Sequence, residues 1–174
     1  VRIVPALLRG AGVSLALFAL VFPLSLPLGF LVTLCANCRF KPVKWLAEAY
    51  IFVMRGTPLM LQLFFFYYGL PFLPGIGQYL RLSSFAAAAL SFTLNYAAYF
   101  AEIFRGGLLS IDRGQYEVSH VLGLTSFQTM TRIIIPQMIR VTLPSIGNEA
   151  ITLVKDTALV ASIALPELLH YAKG

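Results

Sequence analysis

From Gly10 to Cys38 this chain carries no charged side chain, and within that stretch Val13–Leu34 supplies 22 consecutive, mostly apolar residues. A helix rises about 1.5 Å per residue, so about 20 such residues cross the hydrocarbon core of a bilayer. Pro23 and Pro27 fall inside the run, where a membrane helix tolerates them as kinks. The run is too long for a signal-peptide core and has no small-x-small cleavage site after it, so it is expected to stay in the mature protein.

Three further stretches follow. Gly56–Leu80 is uncharged, and its helix is expected to start with Thr57 as N-cap and Pro58 at the first helical position, ending by Gly69. That is short for a span, so the helix is expected to extend back through Leu46–Met54 with a bend near Arg55-Gly56. Leu82–Ala101 is a third uncharged run, with Gly106-Gly107 as its stop signal. The fourth lies between Arg140 and Glu167 and holds three charges, Glu149, Lys155 and Asp156. The composition agrees: 59% of residues are hydrophobic and 11% charged, against about 25% charged in a soluble domain. The net charge of +6 is scattered in short clusters between apolar runs, which excludes a nucleic-acid surface as the expectation.

Those clusters orient the spans. Arg39, Lys41, Lys44 and Arg55 follow the first run, and Arg105, Arg113 and Arg132 follow the third, whereas the intervening loop has only Arg81. Positive loops stay in the cytoplasm, so the N-terminus is expected outside, with Arg2 and Arg9 as the exceptions. No internal repeat or linker divides the chain. Residues 1–174 are read as one transmembrane domain with a cytoplasmic loop at about 106–135. Cys35 and Cys38 form a Cys-x-x-Cys, but His120 and His170 lie far away in sequence, so the pair is read as filler at a helix end rather than as a metal or redox site.

The loop after the third run is written in capping chemistry. Asp112 as N-cap with Gln115 at N3 starts one short helix, and Gly123 offers the left-handed turn that ends it. Thr125 with Gln128 forms a second capping box, opening a helix that runs toward Pro136. The expectation is a helix–Gly–helix elbow. Inside the spans, Glu149 and Asp156 stand seven residues apart, within roughly 20° on a helix, with Thr152 between them. Asn95, Tyr99 and Glu102 make a second stripe at i, i+4, i+7. Two polar stripes on neighbouring helices suggest a hydrophilic pathway through Asn95, Tyr99, Glu149, Thr152 and Asp156. Two blander readings stand beside it: Lys155 pairs with Asp156 or another acid and glues helices, and Glu102 pairs with Arg105 on a helix surface.

Glu117, Gly123 and Ile133-Ile-Ile-Pro136 stand at the spacing of the Glu-Ala-Ala…Gly…Ile-x-Leu-Pro signature of ABC importer permeases, which this loop resembles. Val118 and Ser119 replace the two alanines and Ile135 the leucine. Arg55-Gly-Thr-Pro-Leu-Met-Leu-Gln62, Ala101-Glu-Ile-Phe-Arg-Gly-Gly107 and Gly147-Asn-Glu-Ala-Ile-Thr-Leu-Val-Lys-Asp-Thr157 resemble the polar amino acid branch of that family, the histidine/glutamine permease type. The resemblance implies an all-α, polytopic membrane protein of the MetI-like permease fold, with four spans here and a fifth following the stretch Pro166-Glu-Leu-Leu169. It implies that the 112–136 loop docks on a cytoplasmic ATPase through Glu117, Ser119, Gly123 and Pro136. Two ATPase copies, a second permease copy or paralogue and an external solute-binding protein are the implied protein partners, with an amino acid as substrate and lipid around the spans. The setting is the bacterial cytoplasmic membrane. ATP and Mg belong to the partner ATPase, and no cofactor is expected on this chain. No Gly-x-x-x-x-Gly-Lys-Ser/Thr loop, His-Glu-x-x-His motif or catalytic aspartate pair is present, which argues against an enzyme. An ion-driven transporter or channel is the rival, and it leaves the elbow unexplained. The excess of acid in the fourth run leans toward arginine, lysine or histidine over glutamate; glutamine becomes equal if Lys155 neutralises Asp156.

Overall fold

The structure is a computed structural model, and it describes residues 3–74, 77 and 81–160. Among the described residues it is helical, with no strand. Helix α1 spans Ile3–Ala36 and absorbs both Pro23 and Pro27. Its segment Gly10–Ala36 is long and apolar enough to cross a membrane. Leu15, Leu24 and Leu31 on this helix are exposed, an apolar surface that lipid can solvate.

Helices α2 (Lys41–Gly56) and α3 (Leu59–Phe64) meet at a break and are bent by 104°. Together they pass as one broken span. The expected extension back through Leu46–Met54 is therefore present, and the bend expected near Arg55-Gly56 is a sharp corner. Thr57 is not the N-cap of α3. Pro58, extended at φ −61° and ψ 134°, takes that position, while Thr57 closes α2 by donating its hydroxyl to Val53 O at 2.8 Å. Beyond Phe64 the chain runs on as a π-helical turn, Phe65–Gly69, and a 3₁₀ turn, Leu70–Phe72, that takes in Pro71. The end expected by Gly69 thus comes one turn later.

Helix α4 (Ser84–Leu109) starts on a Ser83 cap whose hydroxyl accepts from Ala86 N. It runs straight through Gly106-Gly107, which do not stop it. Gly107 instead lies against Thr142 and Met138, where a Cβ would overlap both side chains. The pair of glycines read as a terminator is helical, and at Gly107 close packing needs the missing side chain. Helix α5 (Arg113–Val121), the single turn α6 (Ser126–Thr129) and α7 (Ile135–Asp156) follow, with a π-helical turn at Met130–Ile134 between α6 and α7. Helix α7 begins before Arg140, carries Pro144 inside and passes into a 3₁₀ turn at Thr157–Val160. The rest of the fourth run, with Pro166–Leu169 and His170, lies outside the described residues. At 26 and 22 residues, α4 and α7 are long enough to cross a bilayer by helical rise. By length and apolarity together only Gly10–Ala36 and, as a bent pair, α2–α3 qualify among the described residues.

The core is the seam between α1 and α4. Leu17 and Val21 pack with Phe92, Tyr96 and Phe100, and Ala97, Ala98 and Ala101 are fully buried. At Gly29 the backbones approach so closely that a Cβ would lie 2.7 Å from Phe100 Cβ and 2.8 Å from Ala97 O. One turn on, Thr33 Oγ1 donates toward Ala101 O at 2.9 Å, across the seam, and toward Gly29 O at 2.9 Å within its own helix. Small residues and a hydroxyl at a helix crossing are how membrane helices associate without a hydrophobic drive between them. Cys35 and Cys38 are free thiols, and Cys38 Sγ donates to Phe40 O at 3.4 Å. No group of His, Cys, Asp and Glu side chains among the described residues is arranged to hold a metal ion.

Candidate functional site

The α2–α3 corner makes room for a cavity of about 440 Å³ between itself, α4 and α7. Pro58 has no N–H, so the corner exposes carbonyls at the end of α2 that need partners. Gln62 on α3 reaches back to supply them: its Nε2 donates to Met54 O at 2.9 Å and to Thr57 Oγ1 at 2.7 Å. Asn95 on α4 donates Nδ2 to Met54 O at 2.9 Å and to Gln62 Oε1 at 3.1 Å. Both side chains are buried, and buried polar groups are retained when they are hydrogen-bonded. The corner is thereby fixed to α4.

All five residues read as a pathway line this one cavity: Asn95 and Tyr99 from α4, and Glu149, Thr152 and Asp156 from α7. Asn95 sits there with its amide nitrogen already engaged by Met54 O and Gln62 Oε1. Thr152 donates to Asn148 O at 3.0 Å, which leaves its oxygen lone pairs as acceptors. Tyr96 and Arg55 also line the cavity and were not singled out for it from the sequence. The Tyr96 hydroxyl donates to Asp156 Oδ2 at 2.7 Å. The Arg55 guanidinium lies over the Tyr99 ring, 5.3 Å from its centroid.

The blander readings resolve separately. Lys155 does not pair with Asp156; it is exposed and forms no ion pair among the described residues, and the Asp156 partner is the Tyr96 hydroxyl. Glu102 does pair with Arg105, which donates two hydrogen bonds to it at 2.6 and 3.0 Å. Glu102 also stands 3.6 Å from Arg55. It lines the adjacent cavity, with Arg105, Lys44 and Glu48, rather than this one. The lining charges here are two carboxylates and one guanidinium, a formal excess of one negative charge. In a low-dielectric slab such an excess favours a cationic solute.

The elbow is built largely as its local chemistry requires. Asp112 Oδ1 accepts from Gly114 N at 3.3 Å. Gln115 does not fold back on that cap; its Oε1 accepts from Gln137 Nε2 at 3.1 Å and ties α5 to α7. Gly123 has φ 73°. Leu124 N donates to Ser119 O and Gly123 N to His120 O, each at 3.0 Å, the two bonds of a Schellman stop. The Thr125–Gln128 capping box has both of its bonds. Ser119 is buried, with its hydroxyl donating to Gln115 O. Glu117 is exposed and lines a shallow cavity of about 700 Å³ with Tyr116, His120, Leu124 and Met130. Val121, Leu122 and Phe127 stand exposed on the same elbow. Pro136 lies in the first turn of α7, directly after the π-helical turn. The wider turn lets the backbone pass a residue that cannot donate to the helix ladder.

Residues 25–170 match the family described as the binding-protein-dependent transport system inner membrane component. The Probable amino-acid ABC transporter permease protein YckA of Bacillus subtilis (strain 168) is 38% identical over 169 residues, 97% of this chain and 73% of that protein. The arginine transport system permease protein ArtQ of the same organism is 38% identical over 169 residues, 97% of this chain and 75% of that one. A crystal structure of an amino acid ABC transporter with histidines superposes with a TM-score of 0.84 at 35% identity, covering 94% of this chain and 74% of that one.

Proposed function

The chain belongs to the family of binding-protein-dependent transport system inner membrane components, and from that premise we propose that it carries polar amino acids, basic ones foremost, through the cavity at the α2–α3 corner. As a permease subunit of an ABC importer it is an integral protein of the inner membrane and leaves ATP hydrolysis to a separate ATPase subunit. A solute-binding protein is the general partner on the other side. The finer reading is two ATPases, with their ATP and Mg, beneath two permeases, identical or related, and the N-terminus outside. Residues 1–174 act as one unit, with the 112–136 elbow as the ATPase contact.

The observation that carries the substrate reading is the lining of the cavity. Glu149 and Asp156 face it with only Arg55 opposed, and Lys155 stays outside. A basic amino acid brings a side-chain cation to these carboxylates. Glutamine is the second substrate, because Arg55 offsets one of the two acids. ATPase closure would move the elbow, and the elbow is tied to α7 through Gln115 and Gln137. Helix α7 in turn carries both cavity carboxylates, so motion of the elbow reaches the site through one continuous helix.

Glu149→Gln removes one charge and nearly preserves shape. Uptake of labelled arginine by the reconstituted complex is expected to fall on the order of tenfold or more, the loss of one charge-assisted contact, while complex assembly stays normal. Equal uptake of basic amino acids by variant and parent, or a parent that prefers glutamate, would overturn the reading.

A further inference from the structure

Arg55 lines the cavity, yet none of its five N–H donors has a hydrogen-bond acceptor among the described residues. Its ties are the face of Tyr99 and an ion pair with Glu102 at 3.6 Å, longer than a hydrogen bond. Glu102 is held far more firmly by Arg105, with two bonds at 2.6 and 3.0 Å. Both glutamate oxygens are committed to the forked guanidinium of Arg105. Arg55 is therefore the loose member of a three-charge set, and it is the member that faces the cavity. Glu102 and Arg105 border the neighbouring cavity instead.

We propose that Arg55 is the carboxylate anchor of the transport cavity and that Glu102 is its positioning residue, holding the guanidinium at the wall until a substrate carboxylate takes it over. The inference rests on the transport reading above and adds to it the group that reads the invariant end of an amino acid. A planar guanidinium with unspent donors matches a carboxylate in two parallel hydrogen bonds. Glu149 and Asp156, on α7 in the same cavity, then serve the ammonium and side-chain ends. The handover depends on a balance. Arg105 draws charge away from the Glu102–Arg55 pair and keeps that pair weak enough to break; without Arg105, Glu102 would hold Arg55 alone. Affinity for an amino acid is reduced by whatever free energy Arg55 loses on leaving Glu102.

The balance gives opposite signs for two neighbouring substitutions. The measurement is equilibrium binding of labelled arginine to the permease–ATPase complex in nanodiscs, without the external binding protein, with arginine amide as competitor. Glutamine and glutamine amide form a second pair. The parent is expected to prefer each acid over its amide by about tenfold, and Arg55→Gln to lose that preference. Glu102→Gln is expected to tighten arginine binding several-fold by releasing Arg55, and Arg105→Gln to weaken it several-fold by leaving Glu102 to Arg55. A purely structural ion network would shift both variants the same way. Movement of Glu102→Gln and Arg105→Gln in the same direction overturns the role of Glu102. An acid-over-amide preference retained in Arg55→Gln overturns the anchor, while the transport reading stands. A parent complex that binds no amino acid overturns both.

Discussion

Replacing Gly29 by alanine should separate the two helices that form the core of this protein. The new Cβ would lie 2.7 Å from Phe100 Cβ, 2.8 Å from Ala97 O and 3.1 Å from Ala101 N. Ordinary carbon–carbon contact begins at about 3.5–4.0 Å, so the overlap is about 1 Å, and two of the three obstacles are backbone atoms that no rotamer change can move. Helix α1 must shift away from α4 by a similar distance. Thr33 lies one turn further along, and its 2.9 Å bond to Ala101 O would open beyond hydrogen-bonding range. Overpacking costs roughly 1–3 kcal/mol and a lost interhelical hydrogen bond about 0.6 kcal/mol, so the expected destabilisation is about 2–4 kcal/mol. The assay is thermal unfolding of the purified complex, where a fall in midpoint of several degrees is expected. Gly12→Ala, on the same helix with nothing within 4 Å of its Cβ, is the control. It should be neutral or stabilising by up to about 1 kcal/mol through helix propensity. If Gly29→Ala matches Gly12→Ala in midpoint and in uptake, the α1–α4 seam is not as close as drawn and the packing argument fails.

At the elbow, Gly123→Val forces a β-branched residue to φ 73°, a penalty of roughly 1–2 kcal/mol. Recovery of the ATPase with the purified permease should drop while membrane insertion is unchanged; normal recovery with normal transport would remove the elbow as the contact. Thr125→Ala deletes the hydroxyl half of the second capping box and should cost about 1 kcal/mol of local stability, read as faster amide hydrogen exchange over 126–129; unaltered exchange there would show the box is dispensable. For topology, single cysteines at Phe72 and Ser110, introduced in a background lacking Cys35 and Cys38, are treated with an impermeant thiol reagent on intact cells. Phe72→Cys should label and Ser110→Cys should not, and the reverse pattern would invert the orientation.

Much of this protein was legible in its sequence because the governing interactions are local. The Gly123 turn and the Thr125 box are complete within a few residues, and backbone sterics and a single hydroxyl decide them wherever the rest of the chain lies. The uncharged run from Gly10 is equally self-contained, since its length is measured against bilayer thickness. Placing Glu149, Thr152 and Asp156 on one side needs only the helical period, and all three line one cavity.

What a residue meets across a helix crossing depended on the tertiary structure. Gly106-Gly107 carries the local mark of a helix end, but Gly107 faces Met138 and Thr142, and the need for close approach overrides the tendency to stop. Thr57 looked like an N-cap, yet Gln62 and Asn95 recruit the end of α2 into a network spanning 41 residues of sequence between Met54 and Asn95, and the chain turns one residue later. Tyr96 and Asp156 are 60 residues apart, and neither the i, i+4 stripe through Tyr99 nor the charge of Lys155 indicates that they bond. Helical periodicity determines which residues share a face of one helix; which faces meet is decided by the depth at which small residues such as Gly29 let the helices approach, and that is a property of the packed pair.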